Sequence, residues 1–589
     1  MSKLPSLQNV LNATLKTVLR FPLEIGTAIL GTVFAIILSE ANYSSPNKEI
    51  YEKALMSCSL SLVLFLSVSL FFLAFKKSNL LRFSISLGLG VLVFLFVNTF
   101  HKYTTDVEIQ QFFVLNIVFH LLVSFAGFLP RAYNQDEFWE FNKQLFLRIL
   151  TAGLYSIVLF SGLALAILAI DKLFNIDFYD RIYIHVFFVI AGIFNTTFFL
   201  SGVPDTNDSQ IPLVLNYPKG LKNFTQFVLL PLISLYLVIL ICYEAKILLT
   251  LSLPVGWVSY LVLVFAVFGI LSFLLVHPIA AETGNLWMRT FNRWFYFLLI
   301  PLLGLLFWAI LYRIDLYGFT HERYYVLLMS VWLSVVVAYF LIQKHPKIKF
   351  IPISLCLAGL FSIAGPQSAN SISKHSQLAR FESYMQKTTD KKLNFDQQQD
   401  LSSIVSFLET NYGVEIMIPY AKTKLEALLK KDKNPSEYKI MEALGYEYLS
   451  QYAREEDDDN NEFSFYYQQD KLLNIHGYDI SIDLWSDNPY ECHDCIKIDN
   501  KSYSVSSTVE EYGLNLQINQ DIIPLKIIDF INSNADFKKK DVYDKKITQE
   551  VETPKYKILI TYLSANGKIN DHKITLNRYA INVLVKIKN

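Results

Sequence analysis

Leu60-Ser61-Leu62-Val63-Leu64-Phe65-Leu66-Ser67-Val68-Ser69-Leu70-Phe71-Phe72-Leu73-Ala74-Phe75 carries no charge and stops at Lys76-Lys77. With the uncharged residues before it, the run covers 54–75. As a helix rising about 1.5 Å per residue it reaches across a hydrocarbon core of about 30 Å. Comparable runs recur at 21–39, 80–100, 109–128, 146–170, 182–203, 224–243, 256–276, 294–312, 324–342 and 347–364. Their spacing predicts an α-helical polytopic membrane bundle of about eleven transmembrane helices. The last run is the shortest. Pro231 and Pro301 lie inside runs and are expected to kink them.

Bulk composition agrees. Of the 589 residues, 53% are hydrophobic and 18% charged, with no formal net charge. That balance is uneven. From Pro366 onward there are 28 Lys+Arg against 34 Asp+Glu, leaving 24 and 18 in the first 365 residues. Neither part has the basic excess of a nucleic-acid binder. Residues 1–20 place Leu4, Leu7, Leu11, Leu15 and Leu19 at helical spacing, which predicts an amphipathic interfacial helix rather than a signal peptide. The transmembrane domain is then 21–365. Assigning alternate loops to opposite sides puts sixteen Lys+Arg on the N-terminal side and eight on the other. The excess predicts a cytoplasmic N-terminus. An odd span count then places the following segment outside the cytoplasm.

From 366 to 589 the pattern predicts a soluble extracytoplasmic α+β domain. Helices are expected near 374–388, 394–411, 419–431 and 435–444, with Asn394 as an N-cap and Gly445 as a C-cap. Strands are expected at 463–468, 478–484, 503–509 and 514–518, then a helix near 523–533. A final hairpin, 556–563 with 573–585, is expected to turn at Asn566-Gly567.

Several stretches resemble a bacterial membrane family known as domain of unknown function 4153. They include Arg20-Phe21-Pro22-Leu23, Phe128-Leu129-Pro130-Arg131, Tyr217-Pro218-Lys219-Gly220-Leu221-Lys222 and Leu253-Pro254-Val255-Gly256-Trp257. Tyr317-Gly318-Phe319-Thr320 and Gly365-Pro366-Gln367-Ser368, with Ser376 and Gln377, are similar too, as is Gly477-Tyr478-Asp479. Where the family pattern carries Trp after Gly-Pro, Gln367 stands here. The resemblance implies a multi-span protein of a bacterial inner membrane, with a C-terminal soluble extension as in Bacteroidota-like members. It supplies no activity.

No catalytic constellation stands out. P-loop, dinucleotide, nucleophile-elbow and zinc-protease patterns are missing from the sequence, so no cofactor and no metal is expected. Few ionisable residues fall within runs; Glu24, His120 and His185 are the main ones, Glu244 follows the seventh run closely, and Asn195 is expected to bond between helices. Lys219 and Lys222, beside aromatics, could hold anionic lipid headgroups, although an ordinary positive-inside anchor explains them too. Arg313, Asp315, His321 and Arg323 crowd one short loop that could bind an anion, or simply pair among themselves. Cys492-His493-Asp494-Cys495 is the sharpest local motif. Outside the cytoplasm its two cysteines are disulfide candidates, with a metal site, redox chemistry or free thiols as alternatives. Cys58, Cys242 and Cys356 read as small buried hydrophobes. The acidic run Glu455–Asp459 lacks the spacing of a calcium loop and reads as solvated.

These features point to a non-enzymatic envelope protein that binds, senses or scaffolds, with the lipid bilayer and an envelope component as partners and no nucleic acid. A transporter or lipid-handling protein is the alternative. A membrane-embedded transferase is a third, needing Arg313, Asp315 and His321 to come together.

Overall fold

The computed structural model describes the chain apart from residues 1–6, 42–46, 76–77, 102–104, 130–133, 177, 205–214, 251–256, 279–285, 388–392, 451–452, 454–461, 468, 470–472, 487, 489, 499–500, 511–512, 539–540, 544, 571–572 and 589. The chain divides into two compact units, Met1–Gln451 and Tyr452–Asn589. The first unit therefore runs past the junction at 365 seen in composition. The acidic run 455–459 lies outside the described residues.

In the first unit, α1 (Leu7–Arg20) leads into α2 (Pro22–Glu40), with Pro22 in its first turn, where a missing N–H costs nothing. Then follow α3 (Lys48–Ala74), α4 (Asn79–Asn98), α5 (Asp106–Phe125) and the 40-residue α6 (Gln135–Phe174). Next come α7 (Ile182–Phe188) and α8 (Asn195–Ser201), joined by a π turn, and α9 (Lys219–Phe224) and α10 (Leu230–Thr250), joined by another. The remaining membrane helices are α11 (Trp257–Val276), α12 (Leu286–Tyr317), α13 (His321–Ile342) and α14 (Phe350–Ile363). Among the described residues ten helical segments are long and apolar enough to cross a membrane; α14, at 14 residues, falls short by length alone.

Hydrogen bonds show what α14 does. At its start, Lys349 Nζ donates to the Phe128 carbonyl at the end of α5 (2.7 Å), and Phe350 stacks on Tyr339 near the end of α13 at 4.0 Å. At its finish, Gln111 near the start of α5 donates to the Ile363 carbonyl (3.3 Å). Tyr324 near the start of α13 donates to the Gln367 carbonyl (2.8 Å). So α14 lies antiparallel to both neighbours and runs from one end of the bundle to the other. Glu24 and Ile363 thus sit at opposite ends, as an eleventh crossing would require. The helix is only about 21 Å long at 1.5 Å per residue, and the chain on either side completes the distance.

The two ends differ. At the N-terminal end Arg20 donates to the Val203 and Pro204 carbonyls (2.8 and 3.0 Å), tying the end of α1 to the exit of α8. Nearby Lys143 forms a buried ion pair with Glu140 (2.6 Å) and donates to the Asn216 carbonyl, while Trp139 stacks on Tyr217. At the far end Lys53 donates to the Phe100 carbonyl and His185 pairs with Glu40 (2.7 Å). Asn195 donates to Ser156 across helices, as expected. Cys356 is buried and Cys58 half-buried. Cys242 is exposed on the outside of α10, a correction to the buried reading: an apolar run in lipid needs no protein cover.

Four more helices complete this unit as a cap: α15 (Ala369–Lys387), α16 (Phe395–Tyr412), α17 (Lys422–Lys431) and α18 (Glu437–Leu444). They enclose a core around the fully buried Phe381, Leu401, Val405, Met417, Leu425 and Ile440. Asn394 caps α16 in a reciprocal box with Gln397, and Gly445 ends α18 at φ +92°, both as the sequence predicts.

The second unit has two sheets. One orders β2 (Ile480–Trp485), β10 (Lys573–Ile587), β9 (Tyr556–Asn570), β1 (Glu462–Tyr466) and β7 (Asp541–Tyr543), with β8 (Ile547–Glu552) also on β9. The other is an antiparallel meander of β3 (Glu491–Ile498), β4 (Lys501–Glu510), β5 (Gly513–Ile518) and β6 (Asp521–Pro524). Helix α19 (Ile527–Ser533) packs Phe530 flat on Tyr562, with 5.2 Å between centroids. The hairpin is longer than expected, because β9 continues through Asn566-Gly567 to Asn570. A register shift between Leu576 and Arg578 brings the Thr575 carbonyl to 2.2 Å from where a Gly567 Cβ would sit. Gly567 thus serves a close approach within the strand and not a turn.

Candidate functional site

Helix α12 ends at Tyr317, and a helix end leaves carbonyls without intrahelical partners. Gly318, at φ +68°, reverses the chain into α13. The carbonyls around it are bonded mainly by the cap. Gln377, 2% exposed, donates to the Tyr317 and Phe319 carbonyls (3.0 and 2.8 Å). Arg380 donates to the Leu316 carbonyl (2.7 Å), and Arg323 of α13 to those of Tyr317 and Gly318. Ser376 Oγ accepts from the Phe319 N–H (2.9 Å). A Cβ on Gly318 would lie 2.8 Å from Arg380 Cδ and 2.9 Å from Ser376 Oγ, so glycine serves both the turn and the fit.

A second layer holds these donors. Arg380 pairs with Asp400, which also accepts from Tyr384 (2.7 Å). Burial first, then that carboxylate, pushes the Tyr384 hydroxyl well above the usual phenol range. His321, 4% exposed, lies under the Phe407 ring, with Nε2 at 3.0 Å from the Tyr412 hydroxyl. Tyr412 gives its single proton to the Asn370 carbonyl (3.1 Å). His321 Nε2 must therefore be the donor toward Tyr412.

Beside this joint opens a cleft of about 800 Å³. Its bundle wall is the turn from α4 to α5, with Phe96, His101 and Glu108; its cap wall carries Lys374, Glu409 and Tyr412. Glu108 closes the N-terminal capping box of α5 with Thr105 and accepts from the His101 backbone and ring (2.8 Å each). Lys374 sits 5.4 Å over the Tyr412 ring. Burial, followed by the Glu437 charge, raises the Glu409 carboxyl above the ordinary range. The cleft combines both charge signs with aromatic walls, a composition suited to recognition.

The residues expected to bind separate into two ends and two roles. His321 and Arg323 are parts of the joint. Arg313 is half-buried and Asp315 exposed, and no hydrogen bond or ion pair among the described residues joins them to His321. Lys219 is exposed and Lys222 half-buried in α9, at the N-terminal end. Cys492 lies on β3 and is disulfide-bonded; the side chain of Cys495 lies outside the described residues. There β3 spends five residues, Cys492 to Ile496, against three of β4, Val505 to Tyr503. The motif therefore occupies a bulged strand and not a helix start. Among the described residues no cluster of His, Cys, Asp and Glu could hold a metal. Sequence reading missed the cleft, because its two walls are some 270 residues apart (for example His101 and Lys374).

Among the described residues, ten helical segments long and apolar enough to cross a membrane, the shorter apolar α14, a cap docked on one end and a separate β unit mark a multi-pass helical membrane protein. The chain belongs to the family described as a domain of unknown function, DUF4153, which matches residues 25–403, nearly two thirds of its length. That match covers the bundle and the joint and stops inside α16. A curated relative, "Uncharacterized protein PM1469" of Pasteurella multocida (strain Pm70), is 28% identical over 298 residues, 48% of each chain. The chain thus spans about half the length of that relative. No solved structure matches.

Proposed function

We propose that this chain is a non-enzymatic binding protein of a bacterial inner membrane, with its N-terminus in the cytoplasm and its cap in the envelope space. The cleft is its ligand site. One observation carries this reading: bundle and cap each supply one wall, so a ligand in the cleft touches both and biases how the cap sits. The sixteen-to-eight split of basic residues supports the orientation. The disulfide-bonded Cys492 of the β unit accords with an oxidising compartment.

The test is site-specific photocrosslinking in cells. A benzophenone amino acid replaces Thr410, which is exposed and lines the cleft, or Lys433, an exposed control on the cap. An adduct of defined mass at 410 and not at 433 supports a ligand in the cleft. Equal or absent adducts at both positions reject it.

A further inference from the structure

At the N-terminal end, α2, α3 and α4 enclose a second polar cluster that the cleft does not use. Glu24 is 1% exposed, and its Oε1 accepts from Ser69 (2.5 Å). Arg82 is 4% exposed and Ser86 fully buried. Arg82 Nε and Ser86 Oγ have no hydrogen-bond partner, although the Glu24 and Arg82 charges attract each other. The Arg82 guanidinium also lies 4.7 Å over the Phe83 ring. Burying a guanidinium whose Nε has no acceptor is costly even beside a carboxyl group, and an acceptor from outside the chain would relieve that cost.

The location narrows what that acceptor is. Arg82 is the fourth residue of α4, and helical side chains lean toward the N-terminus, so its guanidinium returns to the start of the helix. The first-turn N–H groups there receive no side-chain cap from Ser78. Leu80, on the opposite face of α4, is 76% exposed, on the flank where lipid packs. A guanidinium near a helix start, at the seam with α3 and at the basic end of the bundle, matches a phosphate diester in geometry and charge. We infer that Arg82 and the first turn of α4 bind the headgroup phosphate of an anionic phospholipid at the seam with α3.

Native mass spectrometry of the full chain in detergent tests this, with phosphatidylglycerol, phosphatidylcholine and inorganic phosphate as probes. The wild type should retain one phosphatidylglycerol more tightly than phosphatidylcholine. Arg82→Gln should weaken that binding about 10- to 100-fold, the value of hydrogen bonds to a charged group, and Arg82→Lys by less. Unchanged retention in Arg82→Gln overturns the assignment. Displacement of the lipid by millimolar inorganic phosphate also overturns it, pointing to a free-anion site. If Arg82→Gln does not fold, Glu24→Gln decides. Removing the neighbouring negative charge should tighten retention several-fold, and unchanged or weaker retention refutes the site.

Discussion

Replacing Gln377 with alanine tests how the cap is held. The side chain makes two buried hydrogen bonds, to the Tyr317 and Phe319 carbonyls. The Tyr317 carbonyl keeps its bond from Arg323, so its loss is partial. The Phe319 carbonyl loses the side-chain donor recorded for it. A lost bond that leaves a buried acceptor costs about 1–3 kcal/mol, and a shared one about 1, for a total of about 2–4 kcal/mol. That loss falls on docking of the cap and not on its own core around Phe381. Hydrogen exchange on the full chain should therefore show local opening of α15 and the turn at 317–320, faster by about 30- to 1000-fold where exchange proceeds through undocking. Exchange in α16 to α18 and in the β unit should hold. Unchanged exchange at 317–320 would refute the claim that these bonds fix the cap. Uniform acceleration everywhere would refute the claim that docking is local.

Three further outcomes follow. Gly318→Ala should undock the cap at least as strongly, since it adds left-handed strain of about 1 kcal/mol to close contacts with Arg380 and Ser376; accelerated exchange at 317–320 is the readout. Hydrogen bonds from Lys555 and then Tyr556 hold the Asp521 carboxyl below its ordinary range. Its stabilisation is complete above the unfolded value of about 4 and fades as pH falls through the lower folded value, so Asp521→Asn should flatten acid unfolding of the β unit below about pH 4, followed by tryptophan fluorescence. Thiol counting in the denatured, unreduced chain should give three reactive cysteines, Cys58, Cys242 and Cys356, rising to five after reduction.

The apolar runs made the bundle legible, because a bilayer demands length and hydropathy and little else. The cap helices were legible from caps such as Asn394 and Gly445. Residues whose role depends on distant partners were not. Arg82 is a single charge at the start of an apolar run, and nothing local shows that it lies buried. His321 and Arg323 look like a binding cluster, yet they meet carbonyls and a tyrosine of the joint. Asn566-Gly567 has turn chemistry, but the backbone of β10 needs the glycine for room. The cleft arises only where the α4–α5 turn meets α16, a pairing no local pattern encodes.

The most direct test of the account is which side of the membrane each end of the bundle faces. Gln8→Cys and Thr410→Cys, both exposed positions, would be made singly with Cys58, Cys242 and Cys356 replaced by alanine. A membrane-impermeant maleimide is then applied to sealed right-side-out and inside-out vesicles. The account predicts labelling at 410 only in right-side-out vesicles and at 8 only in inside-out ones. Labelling of both positions in the same vesicles would mean that α14 does not cross, and would contradict the eleven-span architecture.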